Sequence, residues 1–189
     1  MPLWSNDIDS KNIHLAVEGS IGGTTLGLQL AKQTIESGKR VLWASPELPD
    51  GTRFGQIFKG LDPVSASLYH AMNLVGDFRQ SLTSLKSAAN ILPNVGLVVI
   101  DDYCPNIGRI PKDTIIAIND FVSQSKWATL LISKGGTSMD DRPLIARGSK
   151  SLNVDEIWLL IRNENNNQRI LFNGENQINL KLEEDGFHN

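Results

Sequence analysis

A strand, a glycine-rich turn and a helix follow one another near the start of the chain, and this order limits the possible folds more than any other feature. The strand is the apolar run 13–17, and the turn spans 19–25 with the sequence GSIGGTT. Apolar residues then recur from Leu26 to Ile35 at the spacing of a helix packed on a sheet, and Gly38 is a natural helix stop. Backbone N–H groups point into such a turn and the helix N-terminus adds positive potential, so the arrangement can cradle a phosphate.

Apolar runs alternate with helical patterns over the middle of the chain. The predicted strands are 40–45, 67–74, 96–101 and 128–133. The predicted helices are 52–59, 78–89 and 113–124. The run 67–74 is ambiguous and we take it as a strand, whereas 96–101 is the continuous apolar run of a strand buried on both faces of a parallel sheet.

The pattern changes near the C-terminus, where short, partly alternating runs are joined by tight polar turns. These runs, 156–162, 168–172 and 177–182, predict an antiparallel meander. The whole order predicts an α/β fold: a mostly parallel sheet flanked by helices, with a C-terminal antiparallel β extension. The chain has 189 residues, and single cores serve about 100–200 residues, so we expect one domain over residues 1–189.

Composition narrows the class of protein. The chain is 40% apolar, which is enough for a core and excludes wholesale disorder. Its longest apolar runs fall far short of the ~20 residues that span a bilayer, and residues 1–12 lack a signal-peptide pattern. The single cysteine, Cys104, fits a reducing compartment, so we expect a cytoplasmic protein without a membrane partner. A formal charge of −3 argues against a basic coat but allows a local basic patch.

The turn resembles an incomplete P-loop, whose pattern is G-x-x-x-x-G-K-[ST]. With Thr25 in the last position, Thr24 replaces the lysine, and the first glycine falls on Glu18 or, in a shortened loop, on Gly19. The missing ammonium would neutralise the β and γ phosphates, so its loss predicts weak or absent ATP hydrolysis. The nucleotide-binding candidates are Gly19, Gly22, Gly23, Thr24, Thr25 and Asp101. The alternative is a tight turn that needs only small residues.

Two acidic residues follow predicted strands at positions that suit nucleotide chemistry. Asp101 ends a buried strand, where a Walker B acid would hold Mg²⁺ through water together with Thr25. Glu47 follows the second strand, where an acid can orient an attacking water, and it is the catalytic candidate. The alternatives are the acidic start of a loop for Asp101 and a solvated turn residue for Glu47.

The order of these parts resembles the core of the RecA/RadA recombinase superfamily. The matching segments are 18–31, 41–47, 97–101, 129–133 and the terminal strands within 155–187. The resemblance covers residues 12–187 and implies a RecA-like fold, ATP and Mg²⁺ as cofactors, and assembly with other RecA-fold subunits. Two features depart from the family: the P-loop lysine is absent, and Ser133 and Lys134 stand where an Asn-Gln pair is expected. A RecA-type core with a damaged P-loop is also similar to the small RecA-fold subunits of the Elongator complex, which implies binding to transfer RNA.

In the RecA core, the loops after the fourth and fifth strands contact nucleic acid, and here they correspond to residues 104–113 and 134–153. Their basic residues are Arg109, Lys112, Lys134, Arg142, Arg147 and Lys150. Such side chains give salt-sensitive, sequence-independent contacts to phosphates. Asp113, Asp140 and Asp141 reduce the local charge, and ordinary surface charge is the alternative. Arg147 or Lys150 can instead reach a nucleotide on a neighbouring subunit, and Trp4, which precedes the fold, is available to dock on one.

The sequence therefore leaves several functions open. The first is an accessory subunit in DNA recombination or repair that binds single-stranded DNA and has weak or no ATPase activity. The second is an Elongator-like ring subunit that supports transfer-RNA modification. The third is a divergent ATP-binding signalling switch in which Lys134 supplies the missing charge, and the fourth is a protein that acts through protein contacts alone. If the phosphate loop is inactive, no cofactor is expected.

Overall fold

A computed structural model of the chain describes residues 1–137, 144–164, 167–174 and 176–189. The strands are β1 (Asn12–Val17), β2 (Arg40–Ser45), β3 (Tyr69–Asn73), β4 (Val95–Asp101), β5 (Ala128–Lys134), β6 (Glu156–Arg162), β7 (Gln168–Asn173), β8 (Asn176–Glu183) and β9 (Gly186–His188). The helices are α1 (Gly23–Glu36), α2 (Gly51–Ile57), α3 (Pro63–Ala66), α4 (Phe78–Ile91) and α5 (Lys112–Val122). In this part of the chain, no helix has both the length and the apolar character needed to cross a membrane.

The described strands form one sheet in the order β3-β2-β4-β5-β1-β6-β7-β8-β9. Strands β1 to β6 pair in parallel, and β6 to β9 pair antiparallel as a meander. The predicted α/β fold with a C-terminal antiparallel extension is therefore confirmed. Every predicted strand and helix is present, including the ambiguous run, which forms β3. The short helix α3 carries no periodic pattern and was not predicted, whereas β9 overlaps the segment 178–187 that resembles the terminal strands of the family.

The central strands are buried on both faces, as their continuous apolar runs indicate. In β4, Leu97 and Val99 belong to the core beneath α1, whereas Val98 and Ile100 belong to the core beneath α4 and α5. Because β1, β2, β4 and β5 are parallel, their carboxyl ends meet at one edge of the sheet. That edge brings together the turn before α1, the loop after β2 and the acid at the end of β4.

The N-terminal segment packs on its own chain, which corrects the expectation for Trp4. The Trp4 side chain is 1% exposed, and its ring stands edge-on to Trp158 with centroids 6.1 Å apart. Its backbone N–H donates to the Phe187 carbonyl at 2.8 Å. Burying a large indole within the chain removes the apolar surface that was expected to dock on a neighbouring subunit.

Candidate functional site

A cleft of about 420 Å³ opens at the carboxyl edge of the parallel strands. The turn before α1, the loop after β2 and the ends of β4 and β5 line it. Its volume lies within the range of roughly 300–1,000 Å³ that holds small-molecule ligands. Open α/β sheets bind ligands at this edge, so the cleft is the first candidate for a functional site.

The glycine-rich turn leaves its backbone donors open to the cleft. Gly22 caps α1 with a φ of 114°, and no acceptor in the described part of the chain meets the N–H groups of Gly22, Gly23 and Thr24. Glu18 does not line the cleft, because its carboxylate accepts the Arg162 N–H at 2.6 Å. The Ile21 side chain is buried in the core and also stays out of the cleft. The turn therefore presents donors to an anion without the repulsion expected from Glu18.

The hydroxyl beside the strand-end acid belongs to Thr24. Its Oγ1 donates to Asp101 Oδ2 at 2.8 Å. Thr25, for which the sequence predicted this place, is buried and does not line the cleft, because the first turn of α1 directs it toward the core. The hydroxyl contact thus lies one residue earlier than the P-loop pattern indicated.

The position that precedes this hydroxyl has no space for a side chain. With the P-loop pattern aligned on Thr24, Gly23 takes the place of the lysine. A Cβ atom built on Gly23 would lie 2.6 Å from Val17 Cγ2, closer than real Cβ atoms approach, and 3.3 Å from Ile132 Cγ2. Close packing of the turn on β1 and β5 thus excludes a lysine from this position.

Burial changes the charge state of Asp101. Its side chain is 7% exposed, and desolvation raises the pKa of the carboxyl to about 6. The hydrogen bond from Thr24 lowers this pKa and the neighbouring Asp102 raises it, both by less than burial does. Asp101 consequently takes up its proton near pH 6 and stays mostly ionised at neutral pH.

Lys134 and Arg53 are cations that line the cleft. Arg53 Nη1 donates to the Glu184 carbonyl at 3.0 Å. For Lys134 the described residues show no ion pair or side-chain hydrogen bond. Lys134 was a candidate from the sequence, whereas Arg53 was not. The contact of Arg53 with Glu184 depends on the distant turn between β8 and β9, which no local pattern indicates.

Glu47 is exposed at the rim of the cleft. Ser45 Oγ donates to the Glu47 backbone carbonyl at 2.6 Å, which fixes the loop after β2 and leaves the carboxylate without a partner among the described residues. Gly19 lines the same cleft. The structure thus brings together Gly19, Gly22, Gly23, Thr24, Glu47, Asp101 and Lys134.

Arg147 joins the two basic loops. Its Nε donates to the Lys134 carbonyl at 2.9 Å, and its Nη1 donates to the Gly108 carbonyl at 3.0 Å. Nη2 lies 3.6 Å from Cys104 Sγ. Its guanidinium therefore contacts three groups of its own chain, and its contact with a nucleic acid or a neighbouring subunit stays a prediction.

The other basic residues of the loops differ in position. Arg109, Lys112 and Lys150 are exposed. The loops also touch at Gly148, where a Cβ atom would lie 2.9 Å from Ile110 Cδ1. Arg142, Asp140 and Asp141 lie outside the described residues.

A buried polar cluster lies beneath the loops, and the sequence did not predict it. His14 Nε2 lies 2.9 Å from Ser133 Oγ and 3.3 Å from the Tyr103 hydroxyl. Burial, with a smaller effect of Arg147, lowers the pKa of His14 to about 4. Burial likewise raises the pKa of the Cys104 thiol, which disfavours a reactive thiolate. His14 and Ser133 lie in two paired strands and Tyr103 lies in the loop after β4, so the cluster depends on the packing of distant segments that no local pattern shows.

Known proteins match this chain in three-dimensional structure, not in sequence. Neither a protein-family model nor a curated protein sequence matches this chain. A crystal structure of the RadB recombinase has a TM-score of 0.70 at 18% sequence identity, with 95% of this chain and 90% of that chain covered. The chain has a RecA-like fold.

Other structures share the RecA-like fold. A DnaB-like replicative helicase has a TM-score of 0.70 at 13% identity over 95% of this chain, which spans 57% of that protein. The ATPase domain of a further protein has a TM-score of 0.71 at 14% identity, with 96% of this chain and 85% of that domain covered. At such identities the likeness establishes the fold alone. The resemblance to the RecA/RadA core is thereby confirmed at the level of the fold.

Proposed function

We propose that the chain is a RecA-fold accessory subunit that binds nucleic acid through its two basic loops, in DNA recombination or repair, with weak or no ATPase activity. The observation that carries this proposal is the contact of the two loops through Arg147. Three exposed cations lie beside contacts of these loops. Arg109 follows Gly108, whose carbonyl accepts from Arg147, and Lys112 lies two residues after Ile110, which approaches Gly148. Lys150 precedes Ser151, whose carbonyl accepts from Asn119 on α5. A RadB recombinase among the structures of the same fold supports the link to recombination.

The proposal includes the assembly of the chain into an oligomer of RecA-fold subunits. The net charge is −3 and both loops contain acidic residues, so a single copy offers a polyanion only a modest local excess of cations. A homo- or hetero-oligomer of RecA-fold subunits brings several copies of both loops to one axis and multiplies the contacts.

The residues that line the cleft are the reason why we expect ATP hydrolysis to be weak. It offers backbone donors for phosphates, but its turn has no lysine and no space for one at Gly23. The Thr24 hydroxyl and the Asp101 carboxylate are the groups that would hold Mg²⁺, directly or through water, and their contact at 2.8 Å fits that role. Bound Mg²⁺ would neutralise charge on the β and γ phosphates of ATP. A protonated Asp101 holds a metal poorly, so we expect metal-dependent binding to weaken below the pKa of about 6.

The experiment that tests the nucleic-acid role is fluorescence anisotropy with labelled single-stranded DNA. A triple variant with Arg109→Ala, Lys112→Ala and Lys150→Ala is expected to bind at least about tenfold more weakly than the unmodified chain. The matched control replaces three exposed cations outside the two loops, Lys59, Arg79 and Lys126, with alanine. It removes the same charge and is expected to retain most of the affinity.

Equal losses in the two triple variants, or no binding by the unmodified chain, would contradict the proposal. Folded transfer RNA is measured in parallel. A clear preference for it over single-stranded DNA, together with a defined ring in mass measurement, favours the Elongator-like alternative instead.

A second candidate function, the ATP-binding switch, is favoured by the position of Lys134 in the cleft. An ammonium at the end of β5 replaces the charge that the turn lacks. Calorimetric titration with Mg·ATP tests this candidate: Lys134→Ala is expected to weaken binding about tenfold, and Lys126→Ala, at the opposite end of β5, is expected to leave it unchanged. An absence of heat at millimolar nucleotide would exclude the switch.

A further inference from the structure

The antiparallel meander holds the phosphate loop from behind through an arginine. Arg169 lies in β7 and is 9% exposed. Its Nε donates to the Ile21 carbonyl at 3.0 Å, and its Nη1 donates to the carbonyl of Gln168 at 2.8 Å. The guanidinium therefore links the third strand of the meander, counted from the C-terminus, to the backbone of the turn.

This contact fixes the orientation of the peptide group between Ile21 and Gly22. In a planar trans peptide the C=O and N–H bonds point in opposite directions. With the Ile21 carbonyl held toward β7, the N–H of Gly22 points to the other side, where Gly22 lines the cleft. A reversed peptide would instead present a carbonyl oxygen to a bound anion.

A second contact holds the same residue. Gly22 has a φ of 114°, and a Cβ atom there would lie 2.8 Å from Phe187 Cζ. The Phe187 backbone is fixed by Gln29, whose Oε1 accepts its N–H at 2.7 Å and whose Nε2 donates to its carbonyl at 2.9 Å. Phe187 is fully buried, so the backbone of Gly22 has little freedom to move away from Arg169.

We propose that Arg169 is a positioning residue that keeps the peptide between Ile21 and Gly22 in the orientation that offers its N–H to an anion in the cleft. This inference rests on the proposed nucleotide-binding role of the cleft, and it assigns to the C-terminal extension the task of organising the loop. Without Arg169 the peptide samples both orientations. If the productive orientation falls to about one tenth of the population, the apparent affinity for an anion falls about tenfold.

The test compares Arg169→Gln with the unmodified chain by two readouts. The first is relaxation dispersion of backbone amides by NMR, which detects peptide reorientation on the microsecond-to-millisecond timescale. The second is the affinity for Mg·ATP by calorimetry. Arg169→Gln is expected to show exchange confined to residues 21–23 and about a tenfold loss of affinity. Arg169→Lys keeps a charged donor but loses the planar guanidinium, and is expected to show weaker exchange at the same residues and a smaller loss of affinity. Arg79→Gln, on α4, is the control that changes neither.

The outcomes separate this inference from the proposed function. Exchange confined to the turn, in a chain that never binds Mg·ATP, supports the role of Arg169 and contradicts the nucleotide-binding role. Exchange spread over the whole sheet shows a general structural role and overturns the inference, as does a turn that stays rigid in Arg169→Gln. If Arg169→Gln does not fold, Arg169→Lys decides: weaker exchange at the same three residues supports the inference, and its absence overturns it.

Discussion

At the scale of single residues, burial displaces the pKa values of His14 within β1 and Asp101 at the end of β4, with opposite effects on stability as the pH falls. The pKa of His14 is lowered to about 4 by burial, so the folded chain holds the imidazole neutral. Its contribution to stability is complete above the unfolded pKa of about 6.5 and is lost as the pH falls toward 4. The pKa of Asp101 is raised to about 6, so its contribution is complete below about 4 and is lost as the pH rises through 6.

The charge state of His14 can be observed directly. Proton NMR is expected to show His14 neutral until the pH falls well below 5, because protonation requires a charge in a buried site. His188 serves as the internal reference, since its hydrogen bond to Asp185 raises its pKa above the usual 6.5. A His14 that titrates together with His188 would contradict the burial described for it.

The opposition between the two groups predicts the effect of Asp101→Asn on the pH dependence of stability. Between pH 7 and pH 5, His14 lowers the free energy of unfolding by about 2 kcal/mol, whereas protonation of Asp101 raises it by about 1 kcal/mol. The variant loses the second contribution and keeps the first. Urea unfolding is expected to show that Asp101→Asn loses about 1 kcal/mol more stability than the unmodified chain over this interval. An equal loss in both chains would refute the raised pKa of Asp101.

At the scale of elements, the turn between β1 and α1 depends on the meander as much as on its own glycines. Arg169 contacts the Ile21 carbonyl, Phe187 packs against Gly22, and Glu18 accepts the N–H of Arg162. The turn and the extension therefore form one unit.

This dependence predicts a difference between two glycine substitutions. Gly22→Ala places a Cβ atom 2.8 Å from a buried ring at a positive φ, whereas Gly38→Ala, at a φ of 81°, has nothing within 4 Å. We expect Gly38→Ala to cost about 1 kcal/mol, from the backbone alone, and Gly22→Ala to cost roughly 2–4 kcal/mol. Thermal or urea unfolding measures both, and equal costs would argue against the packing of Phe187 on the turn.

The elements themselves follow from local patterns in the sequence. Continuous apolar runs predict β4 and β5 because burial on both faces imposes that pattern on any such strand. The details of the site do not follow, because they depend on contacts between distant segments. Thr24 rather than Thr25 meets Asp101 because of the phase of α1. The inward turn of Arg147 depends on the position of Gly108, and no periodicity in the sequence contains that information.

At the scale of the whole molecule, the sheet links the N-terminal segment to the last strand. Trp4 bonds to Phe187 through its backbone, and Gln29 on α1 donates to both of their carbonyls. We propose on this basis that residues 1–189 form one RecA-like domain, with the prediction made from the sequence kept unchanged.

One domain predicts one cooperative unfolding transition. Tryptophan fluorescence reports on residues spread from Trp4 to Trp158, and far-ultraviolet circular dichroism reports on the helices. Both signals are expected to change at the same urea concentration. Two separated transitions would show that the parallel sheet and the meander unfold independently.

The central claim is that the two loops make phosphate contacts, and its most direct test is the salt dependence of binding to single-stranded DNA. The logarithm of the affinity is expected to fall linearly with the logarithm of the salt concentration. The slope should be about 2 units steeper for the unmodified chain than for the Arg109, Lys112 and Lys150 triple variant, since each lost contact contributes about 0.7. An affinity that does not change with salt, or a slope that the triple variant leaves unchanged, would contradict the account.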